Sequence, residues 1–182
     1  MACGITSGIA ISCEDLVAVG GVFKNAYVAN LDDISTYTLN GEGYIQAINF
    51  VGYAGLYKLE SRKQAHTGGY EATIQDPGGN KFYTHTVTLK LFPGTPDEDD
   101  VIEEILGATA LVVILQDNND NFFLYGKQNG LEQSAGTQNT GAAPASDIGH
   151  NLTLTGQEKK IPSRFRDGDF ETTKALLESY LV

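Results

Sequence analysis

The sequence predicts a mainly β fold of the α+β class, formed as a single domain over residues 1–182. Several segments alternate apolar and polar residues with a period of two. Glycine is abundant, at 21 residues, and clusters of Gly, Asn, Asp and Pro separate those segments. Only two short stretches carry helix signals. We therefore expect a β-sandwich or barrel with one long hairpin, one flanking helix and a short C-terminal helix.

The alternating segments give the expected strands in chain order. Residues 1–30 read as N-terminal strands or an arm. The best-defined strands cover Ala18 to Asn30, Gly43 to Val51, Ala110 to Leu115, Asn121 to Gly126 and Asn151 to Glu158. Between the last two, the Gly-, Ala-, Ser- and Thr-rich residues 134–149 are expected to form a long exposed loop.

The longest two-faced pattern is a hairpin over residues 70–92, with its turn at Asp76 to Asn80. One face of the ribbon is apolar and contains Tyr70, Ala72, Ile74, Tyr83, His85, Val87, Leu89 and Leu91. The other face is hydrophilic and contains Glu71, Thr73, Gln75, Thr84, Thr86, Thr88 and Lys90. We expect His85, on the apolar face, to be a hydrogen-bonded structural histidine.

A helix is expected over residues 95–107. Thr95 is the predicted N-cap, Pro96 occupies the first helical position, and Glu98 completes a capping box. The acidic residues from Asp97 to Asp100 fit the positive end of the helix dipole. Successive helical residues point in different directions, so we favour this capping role over a metal or acid–base cluster.

The C-terminal part contains a second helix and a basic cluster. Asp169 is the expected cap of a short helix over residues 169–181. Before it lie four basic residues, Lys159, Lys160, Arg164 and Arg166. With 12 basic and 23 acidic residues and a net charge of −11, the chain is poorly suited to grip a nucleic acid duplex. We therefore expect these cations to contact an acidic surface of a neighbouring subunit.

The spacing Asp117-x-Asn119-x-Asn121 raises the possibility of a calcium loop. Such a loop needs Gly at its sixth position and Glu at its twelfth, where this chain has Phe122 and Gln128. Apolar strand-like runs also flank it where helices are required. We interpret the segment as a turn between two strands.

The sequence gives no sign of catalysis or of a cofactor. Nucleophile-elbow, phosphate-loop, dinucleotide-binding and zinc-protease motifs are absent, and His66, His85 and His150 lie in separate segments. Cys3 and Cys13 form no C-x-x-C motif; we expect them to be reduced, with a small N-terminal disulfide as the alternative. We also expect no export signal and no membrane-spanning segment, since no run approaches roughly 18–20 apolar residues.

The order of strands and turns resembles a group of virion proteins. The apolar strand LVVIL, the turn DNNDN, the strand FFLYG, then QNGLE, a Gly/Thr loop and LTLTGQEK are similar to tail-tube and tail-ring proteins of tailed phages infecting Bacteroidetes, the crAss-like phages among them. The opening ACGITSGIAISCED resembles the N-terminal strand of that group. The resemblance covers Ala2 to Asn30 and Ala110 to Ile161, and the middle matches only in layout.

The resemblance implies a subunit of homo-oligomeric, commonly hexameric, rings that stack into a conduit for DNA in the virion tail, made in the bacterial cytoplasm. Each subunit would contribute its long hairpin to a barrel around the lumen and contact other tail or neck proteins. The hydrophilic hairpin face would line the lumen, with Lys90 paired to a neighbour's Glu71. The alternatives are a ring, neck or connector protein, the tube of a contractile injection system, or a monomeric β-type binding module.

Overall fold

The computed structural model describes residues 20–62, 64–75, 80–92, 95–140 and 148–182. Eleven strands, two α-helices and a short 3-10 helix, Leu31–Asp33, occur in these ranges, and the strands form a seven-stranded and a four-stranded sheet. The elements are β1 (Val22–Asn30), β2 (Ile34–Leu39), β3 (Ile45–Phe50), β4 (Tyr57–Glu60), β5 (Thr67–Gln75), β6 (Asn80–Leu91), α1 (Pro96–Gly107), β7 (Leu111–Asp117), β8 (Phe122–Tyr125), β9 (Glu132–Asn139), β10 (Gly149–Glu158), β11 (Ser163–Phe165) and α2 (Phe170–Ser179). The expected mainly β fold is confirmed.

The seven-stranded sheet has the order β2-β3-β11-β8-β7-β1-β4. Its most apolar strand, β7, is buried from Leu111 to Gln116, because both faces of the sheet are covered there. The pairing of β3 with β11 is parallel, and the other pairings are antiparallel. The chain end also joins this sheet, since Leu56 and Leu181 form a parallel bridge.

The four-stranded sheet has the order β5-β6-β10-β9 and is antiparallel throughout. Its long ladder pairs β6 with β10 from Leu91 opposite His150 to Tyr83 opposite Glu158. A bulge interrupts the pairing of β9 with β10: Thr153 lies opposite Ala135 and Leu154 opposite Gln133. The extra residue, Ser134, donates its hydroxyl to the Thr153 carbonyl at 3.2 Å.

The apolar side chains form two clusters on opposite faces of the seven-stranded sheet. One lies between the two sheets and beneath α1, and it includes Val87, Leu89, Ile102, Ile105 and Leu152. The other lies beneath α2 and includes Tyr27, Ile48, Ile114, Phe122 and Leu177. The architecture is therefore a β-sandwich with one helix at its side and a second helix on the outer face of the larger sheet.

Both predicted helices are confirmed, and so are their caps. The Thr95 N–H donates to the Glu98 carboxylate at 3.1 Å, as expected of a capping box. At α2 the Asp169 carboxylate accepts from the Thr172 N–H at 2.8 Å. The acidic residues of the first turn of α1 are all exposed, which fits the capping interpretation.

One predicted element needs correction. Residues 134–139, expected within the long loop 134–149, belong to strand β9, and Gly149 already belongs to β10. The sequence EQSAGTQN has no large apolar residue, and the strand pairs with β10 along its length. The N-terminal segment up to residue 19, with Cys3 and Cys13, and residues 76–79 of the hairpin turn lie outside the described residues.

Candidate functional site

The polar face of the four-stranded sheet begins with strict alternation along β6. His85, Val87, Leu89 and Leu91 are buried, and the residues between them, Thr84, Thr86, Thr88 and Lys90, are part-exposed. Successive strand residues point to opposite faces, so the second set lies on the side of the sheet away from the core. The predicted division of this strand into two faces is confirmed.

Neighbouring strands extend this polar face sideways. Thr86 and Thr88 lie opposite Thr155 and Thr153 of β10, and the two hydroxyls of Thr88 and Thr153 are 3.5 Å apart. Asn151 of β10 and Thr137 of β9 continue the row that starts at Lys90. We call this surface the hydroxyl face. Hydroxyls and amides predominate on it.

The other arm of the hairpin brings the remaining predicted residues to the same side. Glu71 lies opposite Thr84, and Thr73 lies opposite Phe82, an aromatic residue that interrupts the polar surface. The side chain of Gln75 lies outside the described part of the chain. Apart from Gln75, the residues predicted to share the polar hairpin face lie together on one face.

The two outer strands of this sheet are open to solvent. β5 pairs only with β6 and β9 only with β10 among the described residues. Their described residues are exposed on both faces, from Thr67 to Ile74 in β5 and from Glu132 to Asn139 in β9. Long edges of nine and eight residues present unpaired backbone groups that can add another strand.

The four basic residues predicted to act together lie on two neighbouring segments of the chain. Lys159 and Lys160 follow the end of β10, and the Lys160 charge is close enough to help lower the pKa of Lys127, after the larger effect of burial. Arg164 lies in β11 and Arg166 directly follows it. They line a depression of about 230 Å³ beside the Asn119–Asn121 turn. All four side chains are exposed and available to a partner.

Two buried polar side chains hold the end of the four-stranded sheet against the turn that follows β8. Nδ1 of His85 accepts the Gly126 N–H at 3.3 Å, and Nε2 lies 2.9 Å from the Lys160 carbonyl, to which it donates in the neutral form. Burial lowers the pKa of His85. The Glu158 carboxylate accepts the N–H groups of Gln128 and Asn129, both at 2.9 Å.

The structural role predicted for His85 is therefore confirmed, whereas Glu158 was missed by the sequence interpretation. A signal was present: Leu152, Leu154 and Glu158 occur at even spacing, so the strand pattern places this acid on the buried face. An acidic residue at a core position indicates a side chain that is specifically hydrogen-bonded.

The Asp117–Asn121 segment is a turn, as predicted. Oδ1 of Asp117 accepts the N–H groups of Asn119 and Asn121, each at 2.8 Å, and Asp120 adopts a positive φ of 61°. The Asp117 carboxylate is thus engaged by its own turn. No group of three or more His, Cys, Asp or Glu side chains suited to a metal occurs in residues 20–62, 64–75, 80–92, 95–140 and 148–182.

Each of the three histidines makes its own, separate contacts. His66 accepts the Lys90 N–H on Nδ1 at 3.3 Å, and His150 lies 4.0 Å from an Asp99 carboxylate oxygen. His66 and His85 are buried, each 1% exposed. Their hydrogen bonds go to backbone groups, an arrangement that holds strands together.

Helices in the described part of the chain are too short and too polar to cross a membrane. Comparison of the chain with family models, with curated proteins and with solved structures finds no match.

Proposed function

We propose that this chain is a virion structural protein that forms homo-oligomeric rings of a phage tail tube, through which DNA passes. The observation that carries the proposal is the four-stranded sheet: its central strands β6 and β10 bury one face, the other face is hydroxyl-rich, and both edges are open. The resemblance of the strand and turn order to tail-tube proteins gives the same interpretation from a separate starting point.

Strand direction supports closure of this sheet into a ring. Because each neighbouring pair is antiparallel, β5 and β9 run in opposite directions at the two edges. When copies are arranged around an axis, β9 of one copy meets β5 of the next in antiparallel orientation. The alternation of strand direction then continues around the ring without a break, and no edge remains.

The dimensions suit a conduit. Six copies that contribute four strands each would form a barrel of 24 strands, in the size range of barrels that enclose a wide lumen. Strand β6 has 12 residues and is about 40 Å long, which at the usual strand tilt of a barrel gives a wall about 30 Å high. One ring would therefore enclose a substantial length of channel.

The chemistry of the hydroxyl face suits the passage of DNA. Phosphates bind strongly to clustered Lys and Arg, and each such contact adds to affinity and to friction. Lys90 is the only basic side chain of the predicted lumen-facing set, whereas Thr84, Thr86 and Thr88 are neutral. A surface of hydroxyl groups stays hydrated and leaves the phosphates mobile.

Proline substitutions at consecutive positions of β9 test the edge contact. In an antiparallel edge strand, one N–H of two successive residues faces the neighbouring strand and the other faces the open edge. Of Thr137→Pro and Gln138→Pro, one should lower the melting temperature because it removes a hydrogen bond to β10. The other should keep the monomer stable and prevent rings.

The measurements are negative-stain microscopy with light scattering across a concentration series, and a thermal melt of each variant. Wild-type rings or striated tubes, lost in the variant with an unchanged melt, would support the proposal; tubes rather than single rings would identify a tail tube. Wild-type protein that stays monomeric at every concentration, or rings that survive both substitutions, would contradict it.

A further inference from the structure

The hairpin continues past the core and carries uncovered apolar side chains. Tyr70, Ala72 and Ile74 of β5 share a face with His85 and Val87, which the core covers. On the distal part of the hairpin this cover ends: Tyr70 is 49% and Ile74 65% exposed. Tyr70 packs edge-on against Tyr83, with ring centroids 6.0 Å apart. We call this distal part, residues 70–74 and 81–83, the arm.

A groove with apolar lining residues, which could accept the apolar side chains of the arm, lies between β4 and α1. Its volume is about 360 Å³, and Leu59, Leu91, Phe92 and Ile102 contribute apolar surface to it. Val101 of α1 also lines it and is 41% exposed. The groove offers room for one large apolar side chain from a partner.

The charges at the two places are complementary. Lys81 lies directly opposite Ile74 on the arm and is exposed. Helix α1 begins with four consecutive acidic residues, Asp97 to Asp100, of which Glu98 lines the groove. On the β4 side, Lys58 is 3.2 Å from both Glu60 and Glu178, which compensate its charge.

The arm and the groove lie at opposite ends of the same strand. β6 begins at Asn80 beside the arm and ends at Leu91, which lines the groove. In a copy stacked in the same orientation, the arm of one molecule faces the groove of the next. Such a head-to-tail contact uses two different surfaces and can repeat without limit along an axis.

We propose that the groove between β4 and α1 receives the arm of a second copy of this chain, with Ile74 inserted beside Val101 and Lys81 against the acidic start of α1. The inference rests on the proposed ring function, since it assigns the contact between successive rings. The bound arm would shield the apolar side chains that the monomer leaves exposed.

Proximity is tested by mixing two single-cysteine chains, both made with Cys3→Ser and Cys13→Ser. One carries Ile74→Cys and the other Val101→Cys. Mild oxidation should give a disulfide-linked heterodimer on a non-reducing gel. The matched control replaces Ile74→Cys by Leu39→Cys, a residue of β2 that is 51% exposed, and should give at least about tenfold less cross-link.

Assembly is tested with Ile74→Asp. Loss of one buried Ile contact should raise the concentration needed for stacking by about tenfold or more, while rings held by backbone hydrogen bonds persist. Leu39→Asp is the control and should stack like wild type. Because Ile74 is mostly exposed in the monomer, the substitution should not impair folding.

The outcomes separate the two proposals. Rings that stack normally with Ile74→Asp, together with cross-linking no higher than the control, would overturn the arm-and-groove contact and leave the ring intact. Specific cross-linking in a protein that never forms rings would support the arm-and-groove contact and refute the proposal of a ring. A protein that neither forms rings nor cross-links above the control would overturn both the ring and the arm-and-groove contact.

Discussion

His66 should make the stability of this protein depend on pH between about 6.5 and 4. Its side chain is 1% exposed, and Nδ1 accepts the Lys90 N–H at 3.3 Å. Protonation would remove that acceptor and place a charge in the core. Burial accordingly lowers the pKa of His66 to about 4, and the backbone of Lys24 offsets only part of this effect.

The direction of the effect follows from the two pKa values. In the unfolded chain the pKa of a histidine is about 6.5, so on acidification the unfolded state binds the proton first. The neutral histidine therefore contributes its full stability above pH 6.5, and this contribution declines as the pH falls towards 4. Between pH 7.5 and 4.5, the difference in proton binding corresponds to about 2.5 kcal/mol.

The assay is urea unfolding at pH 7.5, 6.5, 5.5 and 4.5 for wild type and His66→Asn. Asparagine can accept the hydrogen bond from the Lys90 N–H but does not titrate. The variant therefore lacks the contribution of His66 to the pH dependence of the free energy of unfolding, while it retains an acceptor. Carboxylates and His85 are present in both proteins, so their contributions cancel in the difference. Wild type should lose about 2.5 kcal/mol relative to the variant across the series. Parallel pH profiles would refute the reasoning.

The remaining predictions concern the hydroxyl face and the turn held by Glu158. The double variant Thr84→Lys, Thr86→Lys should leave the monomer soluble but make assembled rings retain DNA in a salt-dependent gel-shift assay. A phage that carries both substitutions should lose infectivity, and normal infectivity would count against a lumen-facing position of these residues. Glu158→Ala should lower the free energy of unfolding by about 2 kcal/mol, because it removes a buried carboxylate that accepts two backbone N–H groups. Urea unfolding checks this, with the exposed Glu132→Ala, expected to cost under about 0.5 kcal/mol, as the control. A loss equal to that of the control would refute the role given to Glu158.

The sequence predicted the elements whose signals are local. The hairpin is specified by its own alternation, and helix α1 by Thr95, Pro96 and Glu98, which act within a single turn. The turn at Asp117 was predicted for the same reason, since its hydrogen bonds join residues at most four positions apart. Each of these features needs no information from distant parts of the chain.

Elements that depend on distant partners were missed. Strand β9 carries no core residue, and it is placed in the sheet by pairing with β10. Strands β4 and β11 have four and three residues, too few for a recognisable pattern, and each is held in the seven-stranded sheet by strands far away in sequence.

The candidate site was predictable only in part. The two faces of β6 followed from alternation, but which strands form the edges of a sheet depends on global topology. The basic residues illustrate the same limit: their spacing is local, but the position of Arg164 and Arg166 beside the Asn119–Asn121 turn depends on the pairing of β11 with β8.

The bulge at Ser134 bears on the diameter of a ring built from this chain. A contact between two different edges turns each copy by a fixed angle relative to the last, and it closes only when a whole number of copies completes the circle. A bulge bends its strand and increases the local twist, and this one lies on the strand that would meet the next copy. If copies join through β5 and β9, one extra residue on the rim of the sheet helps to set the curvature, and with it the diameter of the channel.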